Sequence, residues 1–389
     1  MASIVPAGAS VPAGALVYMP FEAKRGYVRA SGQKLDANEA PGLRGVFAKR
    51  GSKIGDSQVL KTFSFGNGSV LAVSKSGQYA ALGGRTTGAL ELIDLNTGSI
   101  DELTSVPLGD FESARALAFS DDETLLAVSG DNGVHIVNVE TRALEQEITL
   151  TQGDACAFNK TGDKLAVSYG VGIEIYETAT WAKIHDMPLQ QAIALTFSNN
   201  GEYVAIVHKR DTVPDTPNNM LTVAKMVGGS VELSNVFEGL EHEEHTAGGF
   251  VSFDSNDQQV IAGVYRTSLN DPATGKSVKV DVGEWSEVEI TGEKLAYAEF
   301  LSVAGQEFVL TSNVNGKLEM RDSQGFTVFD EQQVLDGLIK PSHGKEARFY
   351  YVDGSKIQAV SIEAADYYAL PNVPSNEFGG LEFNAFIKV

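Results

Sequence analysis

The sequence predicts an all-β protein, a seven-bladed β-propeller of four-stranded blades preceded by a short β-rich or extended N-terminal anchor segment. Three observations carry this prediction. A unit of about 40 residues recurs seven times from residue 66 onward, each unit holds several short apolar strands of period two, and Ser, Asp, Asn and Gly turns separate the strands. Helical solenoids share the period, but their units need apolar residues at i, i+3 and i+4, and that spacing is missing here.

Three consecutive copies show the unit most fully. Ala116-Leu117-Ala118-Phe119-Ser120-Asp121-Asp122 precedes Leu125 to Gly130, Ala155-Cys156-Ala157-Phe158-Asn159-Lys160-Thr161-Gly162 precedes Leu165 to Ser168, and Ala194-Leu195-Thr196-Phe197-Ser198-Asn199-Asn200-Gly201 precedes Tyr203 to Val207. Phe119, Phe158 and Phe197 stand 39 residues apart. An earlier copy lies at Val73 to Gly77, and weaker ones at Phe253 to Asn256, Leu301 to Gly305 and Pro341 to Gly344.

A second turn follows the third strand of the early units, at Ile93-Asp94-Leu95-Asn96-Thr97-Gly98, Val137 to Thr141 and Ile175-Tyr176-Glu177-Thr178-Ala179-Thr180. Asp and Asn side chains bond backbone two residues on, and Gly98 is free to take a positive φ, so a tight turn between third and fourth strands is expected. On these strands and turns the chain resembles the WD40 and YVTN-type propeller families over residues 66 to 372. The resemblance implies seven four-stranded blades around a channel. The Trp-Asp dipeptide is absent, and Trp181 and Trp285 stand outside the repeated positions. Closing the ring requires pairing strands from the two chain ends, because an open sheet edge invites other chains. The candidates are Val59 to Phe65 at the start, and Tyr367 to Leu370 or Leu381 to Val389 at the end.

The domain boundaries expected are 1–60 for a basic anchor, 61–375 for the propeller and 376–389 for a C-terminal tail or closing strand. Charge supports the division. The 389 residues carry 51 acidic and 30 basic side chains, a net of −21, yet residues 1–61 hold nine basic and four acidic groups. The remainder is strongly acidic, which argues against broad contact with nucleic acid. Cys156 is the single cysteine, so an intramolecular disulfide, a multi-cysteine zinc site and an iron–sulfur cluster are excluded. No run of 18 apolar residues occurs, so membrane insertion is not expected. The apolar N-terminus repeats Val5-Pro6-Ala7-Gly8-Ala9 as Val11-Pro12-Ala13-Gly14-Ala15, and its prolines predict an extended arm laid along a partner.

Residues 23 to 47 contain Gly26-Tyr27, Ser31-Gly32-Gln33, Leu35 and Pro41-x-Leu43 in order. This segment resembles the phage tail-collar motif, though it lacks a leading proline and a Cys-Asp before Gly32, and has Ala40 where the family favours an aromatic. The resemblance implies a virion protein whose N-terminal segment, with Tyr27, Arg29, Arg44, Lys49 and Arg50 as anchor residues, docks to other virion proteins of the tail or capsid. A small β-rich lead-in is the plainer alternative.

No Gly-x-Ser-x-Gly elbow, phosphate loop, dinucleotide fingerprint or His-Glu-x-x-His helix is present, so no catalytic residue, metal or cofactor is assigned. Glu241-His242-Glu243-Glu244-His245 has metal-capable side chains, but its His-x-x-His spacing and setting predict a solvated loop. Phe197 and Phe253 are 56 residues apart, and the extra length falls in Lys209 to Asn219 and in Asn235 to Gly249. Both insertions are expected on one face, so Asp211, Asp215, Asn218, Glu241, His242 and His245 are the binding-face candidates.

Three functional readings follow. The first is a non-enzymatic bacteriophage virion protein, localised to the phage particle, with the propeller displayed as an adhesion or decoration module, a host-surface receptor as a further partner, and a homo-oligomeric assembly. The second is a bacterial propeller used as a protein-interaction scaffold. The third is a lactonase-type enzyme with carboxylates at the inner ends of first strands, where Asp154 stands alone.

Overall fold

The structure, a computed structural model, describes residues 16–19, 27–29, 34–36, 49–50, 53–62, 70–84, 90–103, 114–189, 191–209, 219–227, 230–240, 248–268, 271–282, 287–289, 295–303, 306–313, 317–322, 327–333, 339–342, 348–353, 356–363, 367–369, 376–378 and 381–388. Every regular element among them is a strand. The chain divides into two compact units, one of residues 55–362 and one of residues 1–54 with 363–389.

In chain order the first strands are β1 (Leu16–Met19), β2 (Tyr27–Arg29), β3 (Lys34–Asp36), β4 (Lys49–Arg50) and β5 (Lys53–Thr62). Blade 1 follows as β6 (Val70–Val73), β7 (Tyr79–Gly83), β8 (Leu90–Asp94) and β9 (Ile100–Glu102). Blade 2 is β10 (Ala116–Phe119), β11 (Leu125–Gly130), β12 (Gly133–Asn138) and β13 (Leu144–Thr149). Blade 3 is β14 (Cys156–Phe158), β15 (Lys164–Tyr169), β16 (Gly172–Glu177) and β17 (Lys183–Met187). Blade 4 is β18 (Ala192–Phe197), β19 (Tyr203–Lys209), β20 (Asn219–Val227) and β21 (Ser230–Leu240). Blade 5 is β22 (Gly248–Phe253), β23 (Gln259–Ser268), β24 (Asp271–Asp281) and β25 (Glu287–Glu289). Blade 6 is β26 (Leu295–Val303), β27 (Gln306–Asn313), β28 (Lys317–Asp322) and β29 (Thr327–Gln333). Blade 7 takes β30 (Ile339–Ser342), β31 (Arg348–Asp353) and β32 (Lys356–Glu363) from the end of the repeats and β5 from before them. The last strands are β33 (Tyr367–Ala369), β34 (Asn376–Phe378) and β35 (Leu381–Lys388).

The first strands of the blades follow one another in a closed circuit, with β30 returning to β6. Blade packing explains the sequence pattern. Leu126 and Val128 of β11 join a cluster with Leu92 and Ala81 of blade 1, whereas Leu125 and Ala127 of the same strand face Leu165 and Val167 of blade 3. A strand buried on both faces needs apolar residues at nearly every position. Alternation is found in the outermost strand β13, where Glu145 and Glu147 are exposed and Ile148 is buried, and also in the third strand β24, where Val278 and Val280 are buried and Lys279 between them is not. Tyr350, Ile357 and Ala359 of blade 7 pack with Leu71, Leu82 and Ile93 of blade 1, so the interface joining the last blade to the first is apolar, as is that between blades 1 and 2. Leu71 and Leu82 are fully buried, and each contributes about 2 kcal/mol by removal from water.

Ring closure departs in one half from the sequence expectation. The N-terminal partner is β5, which overlaps the expected Val59 to Phe65, but its neighbour is β32. Neither Tyr367 to Leu370 nor Leu381 to Val389 closes the ring. β33 lies between β3 and β4, with Leu35 opposite Tyr368 and Arg50 opposite Tyr367, and β35 pairs with β1, β2 and β34. The N-terminal segment and the C-terminal tail, read separately from the sequence, therefore share two small sheets. Lys356 to Glu363 are spoken for by β5, which leaves the later strands to complete the lead-in.

Candidate functional site

The two ends of the ring are built differently. At one end lie the turns between first and second strands, and here the fourth turn residue takes a positive φ in every early blade: Gly77, Glu123, Gly162, Gly201 and Asp257. A left-handed conformation costs a side-chain-bearing residue about 1 kcal/mol that glycine avoids. The two positions that are not glycine carry carboxylates that reach back to the preceding blade. Glu123 accepts from the backbone N–H and the hydroxyl of Ser76, the latter at 2.7 Å, and Asp257 accepts from the N–H groups of Asn199 and Asn200 at 2.7 and 2.9 Å. Lys160 donates to Asn199 Oδ1 at 3.3 Å, Lys75 pairs with Asp121, and the Ser255 N–H donates to Glu307 at 2.9 Å.

The turns between third and fourth strands lie at the same end and follow the same rule. Gly98, Arg142 and Trp181 occupy the positive-φ position, closed by N–H donation to Asp94, Asn138 and Glu177 carbonyls. The Asp94 carboxylate accepts from the N–H groups of Asn96 and Thr97 at 2.8 and 2.9 Å, as the sequence predicts, and the bond from Thr97 is the main reason its pKa lies below the usual value. Arg142 reaches back to blade 1, donating to Asp101 at 2.8 Å with its guanidinium 5.7 Å from the Tyr79 ring centre. Trp181 packs on the cluster shared by blades 2 and 3. It therefore does occupy a repeated position, hidden in the sequence because its counterparts are Gly98 and Arg142. Glu177, and not Tyr176, stands where Asp94 and Asn138 stand.

At the opposite end, the connections between second and third strands meet those leading into each new blade. Arg115, just before β10, donates through Nε and Nη2 to Asp131 Oδ1 at 2.9 and 2.6 Å and through Nη1 to Asp154 Oδ1 at 3.1 Å. Gln152 donates to the same Asp154 oxygen at 2.6 Å, and Asp154 Oδ2 is buried without a partner. Asp154 is held there by backbone. Its N–H donates to Ser168 O at 3.0 Å, and the Gly153 N–H donates to Gly130 O at 2.7 Å. Gly153 passes so close to blade 2 that a Cβ would lie 2.7 Å from Gly133 O. The sequence points to Asp154 by its place at an inner strand; Arg115 stands at the equivalent position one 39-residue repeat earlier, and Asp131, 23 residues before Asp154, carries no local signal.

The binding-face candidates Asp211, Asp215, Asn218, Glu241, His242 and His245 lie outside the described residues. Their stems do not. Lys209 is opposite Asn219, and Asn219 is opposite Leu240, so both connections leave one end of blade 4. Part of the expected insertion, Asn235 to Leu240, is strand in β21. Of the anchor residues, Tyr27 and Arg29 lie in β2 opposite Lys388 and Phe386, Lys49 and Arg50 lie in β4, and Arg44 is outside the described residues. Among the described residues no group of three His, Cys, Asp or Glu is arranged to hold a metal ion, and no helix is long and apolar enough to cross a membrane.

No family model matches the chain, and no curated protein matches it. The tail-collar resemblance of residues 23 to 47 therefore gains no support from either. Among solved structures, the chain is similar to the Cps50 (Swd1) β-propeller domain of Myceliophteria thermophila, at 11% identity and a TM-score of 0.53 over 79% of this chain and 99% of that one. It is also similar to a chain of a mitotic checkpoint complex, at 10% identity and a TM-score of 0.57 over 82% of this chain and 95% of that one. These likenesses show the fold, a WD40-like β-propeller.

Proposed function

We propose that this chain is a protein-interaction scaffold whose partner docks on the end of the ring that carries Arg115, Asp131 and Asp154. The observation that supports this most is the asymmetry of the two ends. Turn residues of one blade are hydrogen-bonded to the next at one end, which occupies their polar groups, whereas at the other end Arg115 makes a comparable link to Asp154 but stays about a third exposed. The other end has the long connections of blade 4, whose stems are fixed by β19, β20 and β21. Loops presented by a rigid scaffold are where binding commonly resides. Replacing residues 211–218 by a two-residue Gly-Ser link tests the reading. Co-purifying partners should be lost while the melting temperature holds, and unchanged partner recovery would overturn it.

A narrower reading, in which the scaffold is a phage virion component anchored by residues 1–60, rests on the Gly26-Tyr27 to Leu43 pattern. Immunogold labelling of purified particles with an antibody to the propeller checks it. Label on the particles supports the virion role, and label confined to host debris contradicts it.

A further inference from the structure

The pairing around Arg115 is incomplete in a particular way. The guanidinium uses one oxygen, Oδ1, of Asp131 and one oxygen, Oδ1, of Asp154. Among the described residues both hydrogen bonds to Asp131 fall on Oδ1, and Asp154 Oδ2 is buried without a partner. Leaving a buried carboxylate oxygen unpaired is costly, because the group loses water without gaining a donor. Ser129, whose carbonyl accepts the Arg115 N–H, is fully buried and its hydroxyl is also without a partner. Among the described residues one cation therefore serves two carboxylates contributed by two blades, and these three side chains are together net negative.

We infer that this group is a receptor for a cationic side chain, a lysine or arginine presented by the partner protein. The inference rests on the reading that the partner docks at this end of the ring. The Asp131 and Arg115 side chains are about a third exposed, at 33% and 36%, and Asp154 is behind them at 16%. A carboxylate turns readily about its last bond, so Asp154 can bring Oδ2 forward to a donor while Arg115 keeps its two bonds to Asp131. An incoming guanidinium or ammonium would then take Oδ2 of both aspartates in charge-assisted hydrogen bonds. The long-range field favours the same ligand, because residues 55–362 carry 44 acidic and 21 basic side chains, a net of −23. An anionic partner side chain, the alternative ligand for Arg115, would have to approach against that field and displace an aspartate.

A displayed random dodecapeptide library, selected on the immobilised full chain, tests this directly. Recovered peptides should share a lysine or arginine at one position. Replacing that residue by norleucine or citrulline, or replacing Asp154→Asn or Asp131→Asn in the chain, should each weaken binding about tenfold or more. The exposed Asp131→Asn variant keeps the test valid should Asp154→Asn lower the melting temperature. Peptides without a shared cation, or cationic peptides indifferent to both substitutions, would overturn the inference while leaving the scaffold reading in place. Recovery of no peptide would count against the scaffold reading itself, and this inference would fall with it.

Discussion

The Asn199 backbone N–H donates to Asp257 Oδ1 at 2.7 Å, joining blades 4 and 5 through residues 58 apart in sequence. Asp257 also accepts from the Asn199 side chain at 2.9 Å and from the Asn200 N–H, and it does so from a left-handed backbone with φ of 59°. The strain and the bonds belong together, since the conformation that glycine would take without cost is the one that aims this carboxylate at the neighbouring turn.

Asp257→Ala keeps the strain and loses the bonds, so it should destabilise the propeller by about 3 kcal/mol. Asp257→Gly loses the same bonds but relieves the backbone, and should cost about 1 kcal/mol less. Urea unfolding of the three proteins measures the order, aspartate above glycine above alanine.

His135 gives a pH-dependent counterpart. It is fully buried in β12 and neither ring nitrogen has a partner. Burial holds its pKa below the usual 6.5, with Glu147 opposing weakly. The unfolded chain therefore takes up a proton below about pH 6.5 that the folded one refuses, and stability contributed by the neutral ring falls as pH drops through that value. His135→Leu should raise stability by about 1 kcal/mol at neutral pH. Its advantage over the parent should widen below pH 6.5 in melts at successive pH values.

Gly153 places Asp154 by its lack of a side chain. With 2.7 Å between a Cβ and Gly133 O, Gly153→Ala must push the chain away from blade 2. A loss of about 2 kcal/mol is expected in thermal melts. Peptides selected on the parent chain should also bind more weakly, because the Asp154 carboxylate moves with its backbone. Gly162→Ala serves as the control, since a Cβ there meets nothing within 4 Å and only the positive φ of 73° opposes it.

Removing residues 1–62 deletes β5 and leaves β32 as an open edge. That variant should self-associate in light scattering, because an unpaired strand edge templates further pairing. Residues 53–363 alone keep the closing strand and should remain monodisperse at the same concentration.

Much of the fold was legible because the early blades repeat their turns. The 39-residue spacing of Phe119, Phe158 and Phe197 and the Ser, Asn and Gly turns after them mark real hairpins. The period-two reading was right for outer strands such as β13 and wrong for the doubly buried β11, where both faces need apolar side chains. Ring closure was half legible. Val59 to Thr62 signals a strand, but no local feature distinguishes Lys356 to Glu363 from the later strands as its neighbour. Trp181 and Arg142 hide an equivalence with Gly98 that only backbone conformation reveals. The Arg115 group was the least legible, since each aspartate comes from a different blade and only the ring brings them together.

The central claim, that partners dock at one end of the ring, is tested most directly by site-specific photo-crosslinking in the cell of origin. A benzophenone side chain placed at Asn132, Thr151 or Val171 samples the Arg115 end, and at Thr97, Glu140 or Ala179 the turn end. The account predicts one and the same crosslinked partner from the first three positions and none from the second three. Crosslinks from the turn end with none from the Arg115 end would contradict it.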